Sequence, residues 1–155
     1  MAQGLREELK QTRPFARRGS EAMLSVLRTA AVLDHELNEV LRPHGMTLTQ
    51  YNVLRILRGT GEAGLCGREV GERLISPVPD VSRLLERMED LGVVRRERDD
   101  QDRRHVTARI TETGRRLLET VTPELDAVER ARFGGLSESA LQAVIAALAH
   151  VREAA

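Results

Sequence analysis

The sequence predicts a mainly α-helical protein with one small antiparallel β-hairpin. Apolar residues recur at spacings of three and four over most of the chain, which is the period of an amphipathic helix. Only residues 93–111 show period-two alternation, on both sides of a polar turn, and this pattern is typical of a hairpin. With 155 residues the chain can bury one hydrophobic core, so we expect a single domain.

The first long helix is predicted to be apolar on two faces. Ser20 is a suitable N-cap, and Pro43 and Gly45 end the helix. One apolar stripe comprises Val26, Ala30, Leu33, Leu37 and Val40, and the adjacent one comprises Met23, Leu24, Leu27, Ala31 and Leu41. Because a helix that is apolar on two faces is buried on two sides, we expect a partner chain against one of them.

Three shorter helices are predicted in the middle of the chain. Thr49 caps the first, which runs to Arg58, and the second covers residues 67–74. The SPVPD motif at residues 76–80 contains two prolines, which have no N–H, so it interrupts the series of backbone hydrogen-bond donors that a helix needs. The third helix follows over residues 79–91, and Gly92 provides its C-terminal stop.

The hairpin and two further helices complete the chain. Residues 94–98 and 106–110 are the two predicted strands, joined by the DDQDRR turn. Thr111 caps the next helix, which is interrupted or kinked at Pro123 and ends at residues 134–135. Ser137 caps the last helix, whose apolar stripe comprises Leu141, Val144, Ile145, Leu148 and Val151.

The GTGEAG motif at residues 59–64 matches the GxGxxG fingerprint of dinucleotide-binding enzymes. That fingerprint requires a preceding strand, which delivers a helix N-terminus to a pyrophosphate. The residues before Gly59 show helical spacing instead, so we interpret the motif as a turn in which Gly59 or Gly61 adopts a positive φ. We therefore predict no enzymatic activity and no cofactor, with a nucleotide-dependent enzyme as the alternative.

Composition and charge limit the possible environments of the protein. Lys plus Arg and Asp plus Glu both number 24, so only the distribution of charge can indicate a nucleic-acid partner. A charged N-terminus, the lack of a long apolar run and a single cysteine, Cys66, predict a cytoplasmic protein without a membrane segment. The four histidines lack ligand spacing, so no metal site is predicted.

The order of helix, short helix, proline-marked turn, helix and arginine-rich hairpin is that of a winged helix-turn-helix. In this fold, side chains near the N-terminus of one helix reach DNA bases, and an arginine can bridge guanine O6 and N7. The candidate DNA-binding residues of this helix are Pro79, Asp80, Ser82, Arg83 and Arg87. The alternative is a solvated helix face on which acids flank the arginines.

The hairpin supplies the remaining candidates for DNA contact, which are Arg98, Arg103 and Arg104. An arginine at the end of such a projection commonly inserts into a narrow minor groove. Asp102 is predicted to support this wing by holding backbone amides and orienting a guanidinium group. A solvated charged turn is the alternative.

Three stretches carry a resemblance to a known family. They are residues 48–65 (LTQYNVLRILRGTGEAGL), residues 79–94 (PDVSRLLERMEDLGVV) and a wing in which Asp102-Arg103-Arg104 precedes ITETG at residues 110–114. They resemble the MarR family of bacterial transcription regulators, whose wing signature is D-x-R, five residues and then L-T. Here Ile110 replaces the leucine and Thr111 follows it.

The resemblance implies one domain over residues 1–155, with dimerisation helices at 20–46 and 112–153 and a winged-helix lobe at 47–111. It also implies a homodimer on a pseudo-palindromic operator in double-stranded DNA, with Arg104 in the minor groove and Ser82 and Arg83 in the major groove. Family members often respond to small phenolic or lipophilic effectors between the two lobes. The residues nearest to that pocket are His35, His44 and Tyr51, for which packing is the alternative role.

These observations predict a sequence-specific DNA-binding regulator, acting as a repressor that a small ligand releases. Cys66 is interpreted as a small buried thiol, although a helix N-terminus could lower the pKa of a cysteine placed there. A helical protein-interaction module that has lost DNA binding is the alternative function, which the balanced charge favours.

Overall fold

The computed structural model describes residues 4–98 and 106–153, and these contain seven α-helices and three short β-strands. The helices are α1 (Leu5–Glu8), α2 (Arg18–Leu41), α3 (Leu48–Gly59), α4 (Gly67–Arg73), α5 (Val81–Asp90), α6 (Glu112–Phe133) and α7 (Glu138–Glu153). The strands are β1 (Leu65–Cys66), β2 (Val94–Arg98) and β3 (Val106–Ile110). The predicted mainly helical fold with an antiparallel hairpin is confirmed.

The sheet has one strand more than the hairpin that the sequence predicts. Its order is β1-β3-β2, and both pairings are antiparallel. In the β2–β3 hairpin Val94 pairs with Ile110, while on the other side of β3 Leu65 of β1 pairs with Ala108. Strand β1 has only two residues, which is too short to show a period-two pattern.

The GTGEAG motif forms the turn between α3 and β1. A helix precedes it, which confirms the interpretation as a turn, and of the two candidate glycines it is Gly61 that has a positive φ, 57°. Gly64 has a φ of 66°, and a Cβ atom there would lie 2.6 Å from the carbonyl oxygen of Ala108. Gly64 thus allows the chain to enter β1 beside β3.

Two predicted N-caps are wrong, and α6 is not interrupted at Pro123. Thr47, not Thr49, caps α3: its Oγ1 accepts from the Gln50 N–H at 3.2 Å, and Gln50 Oε1 accepts from the Thr47 N–H at 2.9 Å. Helix α2 begins at Arg18, so Ser20 lies inside it. Helix α6 continues through Pro123, which is exposed at the surface.

The core lies between α3, α6 and the sheet. Its fully buried side chains include Leu41, Leu54, Leu57, Val70, Met88, Val94, Leu118 and Val121. Helix α7 contributes no buried residue, and α2 contributes only Leu41. These two helices instead expose large apolar side chains, including Met23, Leu27, Ile145 and Val151, each 59–66% exposed. No helix in the described ranges is long and apolar enough to cross a membrane.

Candidate nucleic-acid interface

Helix α5 buries one face and presents the other to solvent. Leu85 and Met88 lie in the core, whereas Ser82, Arg83 and Arg87 are exposed. The side chain of Asp80 caps the helix by accepting from the Arg83 backbone N–H at 2.9 Å. The cap fixes where the helix starts and therefore places Ser82 and Arg83 in its first turn.

Two acidic residues of α5, Glu86 and Glu89, face the hairpin. Glu89 Oε1 accepts from the Arg96 backbone N–H at 2.8 Å, and Glu89 Oε2 lies 2.8 Å from Arg96 Nε. Hydrogen bonds from the guanidinium and then from the backbone of Arg96 lower the pKa of Glu89. Glu86 also lies within 3.6 Å of Arg96. Arg96 thus joins α5 to β2 and neutralises carboxylates that lie near Arg83 and Arg87.

Sequence reasoning missed this role of Arg96. The available signal was its position in β2. Successive side chains of a strand point to opposite faces, so Arg96 lies on the same face as the buried Val94, whereas Arg95 and Glu97 lie on the other face. A charged residue at an inward position requires a partner. Glu89 is that partner. The apolar pattern of α5 indicates only that Glu89 lies on the polar face of the helix, and it does not show the contact with Arg96.

The outer side of the hairpin carries its own ion pairs. Arg109 Nη1 lies 2.6 Å from Glu97 Oε2, and Arg109 Nε donates to the backbone oxygen of Glu62 at 2.6 Å. Arg98 is exposed at the end of β2. The predicted wing residues Asp102, Arg103 and Arg104 lie outside the described residues.

An open depression of about 1050 Å³ separates the N-terminal end of α5 from β3. Its lining includes Pro79, Asp80 and Ser82, together with Arg68 of α4 and Thr107 of β3. The depression thus brings together three of the candidate residues. Arg68 was not predicted as part of this surface, because a short helix gives little periodic signal.

Cys66 lies in the same depression and caps α4. Its backbone N–H donates to Glu69 Oε2 at 2.9 Å, and this bond, followed by one from the Cys66 side chain, lowers the pKa of Glu69. The thiol is only partly buried, so the interpretation of Cys66 as a buried thiol is wrong. Its structural role in the described chain is that of a helix cap.

A second cavity, here called the Tyr51 cavity, lies between α2, α3 and α6 and has a volume of about 270 Å³. Its lining is Leu33, Leu37, Leu48, Tyr51, Asn52, Arg55, Ile75, Leu125, Asp126, Val128, Glu129 and Phe133. Tyr51 is thus placed in a cavity, as the ligand prediction requires. Phe133 was missed, although it follows Leu125 and Glu129 at the spacing of one helical face.

The two histidines predicted beside Tyr51 lie elsewhere. His35 is exposed on α2 and does not line the cavity. His44 lines a separate apolar cavity of about 240 Å³, where its Nε2 lies 3.0 Å from Glu124 Oε1. In the part of the chain that the structure describes, no three His, Cys, Asp or Glu side chains are grouped so as to hold a metal ion.

The α4–turn–α5 unit, the three-stranded sheet and the flanking long helices define a winged helix-turn-helix protein. Residues 44–105 match the model of the MarR family. The HTH-type transcriptional regulator YkoM of Bacillus subtilis is 32% identical over 108 residues, which cover 69% of this chain and 68% of YkoM. The chain belongs to the MarR family of transcriptional regulators.

Other proteins extend the comparison. The HTH-type transcriptional regulator TtmR of Methylorubrum extorquens is 36% identical over 98 residues, which cover 63% of this chain but only 49% of TtmR. The chain thus spans about half the length of TtmR. Among solved structures, AbsC of Streptomyces coelicolor, a MarR family transcriptional regulator, has a TM-score of 0.75 and 28% identity, covering 92% of this chain and 97% of AbsC.

Two more distant structures share the fold. The Staphylococcus aureus MepR–DNA complex has a TM-score of 0.75 at 23% identity, covering 92% of this chain and all of the MepR chain. Rhodococcus jostii CouR bound to p-coumaroyl-CoA has a TM-score of 0.72 at 24% identity, covering 88% of this chain and 95% of CouR.

Proposed function

We propose that this protein is a homodimeric repressor that binds a pseudo-palindromic operator in double-stranded DNA and is released by a small effector. Helix α5 enters the major groove with Ser82 and Arg83 at the base edges, and Arg87 lies one turn further along. The hairpin contacts the adjacent minor groove through Arg103 and Arg104. The protein catalyses no reaction and acts in the cytoplasm.

The observation that carries this proposal is the distribution of charge around α5. Glu86 and Glu89 face Arg96 of the hairpin, whereas Arg83 and Arg87 are exposed and have no ion-pair partner among residues 4–98 and 106–153. The charges of these two acids, which would repel phosphates, are therefore offset within the protein. The arginines stay available for guanine edges or phosphates.

The open depression between α5 and β3 supports the placement of a DNA strand. Ser82 and Pro79 lie on one wall, and Thr107 of the hairpin lies on the other. MepR, which shares the fold, has been solved with DNA.

The exposed apolar residues of α2 and α7 support a homodimer. Met23, Leu27, Ile145 and Val151 are each at least 59% exposed in the single chain. Large side chains of this kind, grouped on terminal helices, are typical of surfaces that a second subunit covers. Two-fold symmetry would place two α5 helices on successive major grooves, about 10 base pairs apart.

The Tyr51 cavity is the proposed effector site. Its lining includes Ile75, which belongs to the turn between α4 and α5, and Asn52, whose Oδ1 accepts from the Ile75 backbone N–H at 2.9 Å. A ligand in this cavity therefore contacts the turn that positions α5. CouR, which shares the fold, has been solved with p-coumaroyl-CoA. Binding that favours a displaced α5 would reduce operator affinity.

Fluorescence anisotropy with a duplex from the upstream region of the protein's own gene tests the proposal. Specific binding should weaken with salt and should fall at least tenfold in Arg83→Ala and in Arg104→Ala, about the loss of one good base contact. Arg116→Ala is the matched control, because Arg116 is 76% exposed on α6 and pairs only with Glu112 among the described residues.

Three results would contradict the proposal. Equal affinity for a scrambled duplex would remove sequence specificity, and a monomer in light scattering would remove the dimer. A lack of binding to any duplex at low salt would instead favour the protein-interaction module. In that case the exposed face of α5 would have a protein partner.

A further inference from the structure

The Tyr51 cavity combines an apolar body with charged side chains. Eight of its twelve lining residues are apolar or aromatic, and they come from α2, α3, α6 and the turn after α4. The chain has only three aromatic residues, one Tyr and two Phe, yet Tyr51 and Phe133 both line this cavity. A concentration of the scarce aromatic rings at one cavity indicates that the rings contribute to recognition.

The face of the Tyr51 ring already receives a cation. The guanidinium carbon of Arg55 lies 5.9 Å from the centroid of this ring. That distance is within the range of a cation–π interaction, in which the negative face of the ring attracts a positive charge. The ring therefore accepts a positive charge at its face, and a ligand ammonium or amidinium group that binds there would share or take the place of Arg55.

Negative charge exceeds positive charge at the cavity. Asp126 and Glu129 supply two carboxylates, against one guanidinium from Arg55. Both acids are exposed, so they lie where the cavity meets water and need not be desolvated to attract a ligand. Their spacing of three residues places them side by side on α6, and Phe133 follows one turn beyond Glu129.

We infer that the effector is a small lipophilic cation: an ammonium or amidinium group attached to a compact apolar body. The apolar body lies among Leu33, Leu37 and Leu125, and the cationic group lies between the Tyr51 ring and Glu129. A volume of about 270 Å³ is just below the range of about 300–1000 Å³ for drug-sized ligands, so the ligand is small. This inference rests on the proposed effector role of the cavity.

Carboxylates are disfavoured by the same geometry. Among the residues that line the cavity, Arg55 alone could pair with an anionic ligand, and the lining also includes Asp126 and Glu129. The two like-charged carboxylates would oppose it, and the Tyr51 ring would offer its negative face. A neutral ligand would bury its apolar surface in the cavity but would form no ion pair with Asp126 or Glu129.

Intrinsic fluorescence can compare the affinities of ligands that differ in charge. The chain has one tyrosine and no tryptophan, so emission from Tyr51 reports occupancy of the cavity that Tyr51 lines. Three probes that do not absorb at the excitation wavelength have the same apolar body: cyclohexyltrimethylammonium, cyclohexylmethanol and cyclohexanecarboxylate. We expect the cation to bind about tenfold more tightly than the carboxylate, and this preference should decrease with salt.

Substitutions identify the source of the preference. The double variant Asp126→Asn, Glu129→Gln should lose most of the cation preference while its affinity for cyclohexylmethanol stays unchanged. Glu119→Gln is the matched control, because Glu119 is exposed on the same helix but does not line the cavity. Arg55→Gln should increase cation affinity severalfold, since it frees the Tyr51 ring and removes the only positive charge of the lining.

The inference is overturned if the carboxylate binds as tightly as the cation, if no probe changes Tyr51 emission, or if the double variant keeps the preference. These outcomes are separate from failure of the proposed function, because the fluorescence assay contains no DNA. Adding the cation to the protein–duplex complex then tests regulation. If the cation binds selectively but does not release the protein from the duplex, the ligand class is confirmed and the effector role is refuted.

Discussion

Replacing Gly114 by alanine is expected to destabilise the protein, although alanine favours helices more than glycine does. A Cβ atom at position 114 would lie 2.4 Å from the Val93 carbonyl oxygen and 2.8 Å from Cγ1 of Ile110. The Val93 oxygen accepts from the Thr111 backbone N–H at 3.1 Å, and Thr111 caps α6. The oxygen therefore cannot move away without weakening the junction between the hairpin and α6.

The expected magnitude combines three effects. Overpacking of a close contact costs about 1–3 kcal/mol, and a weakened hydrogen bond at the junction adds about 1 kcal/mol. The higher helix propensity of alanine offsets about 1 kcal/mol of this loss. The free energy of unfolding should thus decrease by about 2 kcal/mol, which corresponds to a decrease in Tm of about 4–8 °C for a chain of this size.

Urea denaturation followed by circular dichroism measures this change. Variant and wild type must be compared at one protein concentration, because the stability of a dimer depends on concentration. Gly59→Ala is the matched control: Gly59 is helical, and its added Cβ would meet no atom within 4 Å apart from its chain neighbours and the backbone of its own helix. It should gain up to about 1 kcal/mol. A Gly114→Ala protein as stable as wild type would refute the reasoning.

Further predictions concern the Glu89–Arg96 pair, a helix cap and the turn before α5. Glu89→Gln should lower the free energy of unfolding at pH 7 by about 1 kcal/mol after solvent screening, because its bonds to Arg96 lose their charge. Hydrogen bonds from Arg96 lower the pKa of folded Glu89, so this contribution is fully present above the pKa of the unfolded chain and is lost as the pH falls through the lowered pKa. Urea titrations at pH 7 and at successively lower pH should show the stabilities of variant and wild type approaching each other. Thr47→Ala should cost about 1 kcal/mol in thermal denaturation, and equal loss in Thr49→Ala would contradict the observed cap. Asn52→Ala should accelerate hydrogen exchange at the Ile75 amide, and unchanged protection there would show that the 2.9 Å bond is unimportant.

The helices were predictable because their signals are local. Apolar spacing and the stops at Gly45 and Gly92 describe each helix from its own residues, and both glycines have a positive φ in the structure. Strand β1 could not be predicted in the same way, because its pairing with β3 joins residues more than 40 positions apart. The misplaced cap was instead a missed local signal: Thr47 and Thr49 are both good cap types, but only Thr47 is followed three residues later by a glutamine, which is the capping-box pattern.

The same distinction between local and long-range signals applies to the candidate site. Ser82, Arg83 and Arg87 were identified because the apolar stripe of α5 leaves them outside. The Tyr51 cavity was not defined by sequence, because its walls come from helices separated by up to about a hundred positions. His35 and His44 were near in sequence to the expected pocket, but the lining of the cavity excludes both.

The balance of 24 basic and 24 acidic residues does not determine the charge of the DNA-facing surface. Arg96 holds Glu89 by two bonds of 2.8 Å and lies 3.6 Å from Glu86, so one inward arginine offsets two acids of α5. Arg96→Ala should therefore weaken operator binding, although Arg96 is not proposed to contact DNA, because it removes the positive charge that offsets Glu86 and Glu89; the bond from the backbone N–H of residue 96 to Glu89 remains.

A second substitution separates this electrostatic effect from a loss of structure. Adding Glu86→Gln to Arg96→Ala removes one of the two negative charges that Arg96 no longer offsets, and should restore part of the DNA affinity, with the gain largest at low salt. Glu86 is 60% exposed, so the same change in the wild-type background should affect folding stability little. If the double variant binds no better than Arg96→Ala at any salt concentration, Arg96 acts by positioning α5 rather than by offsetting its acids.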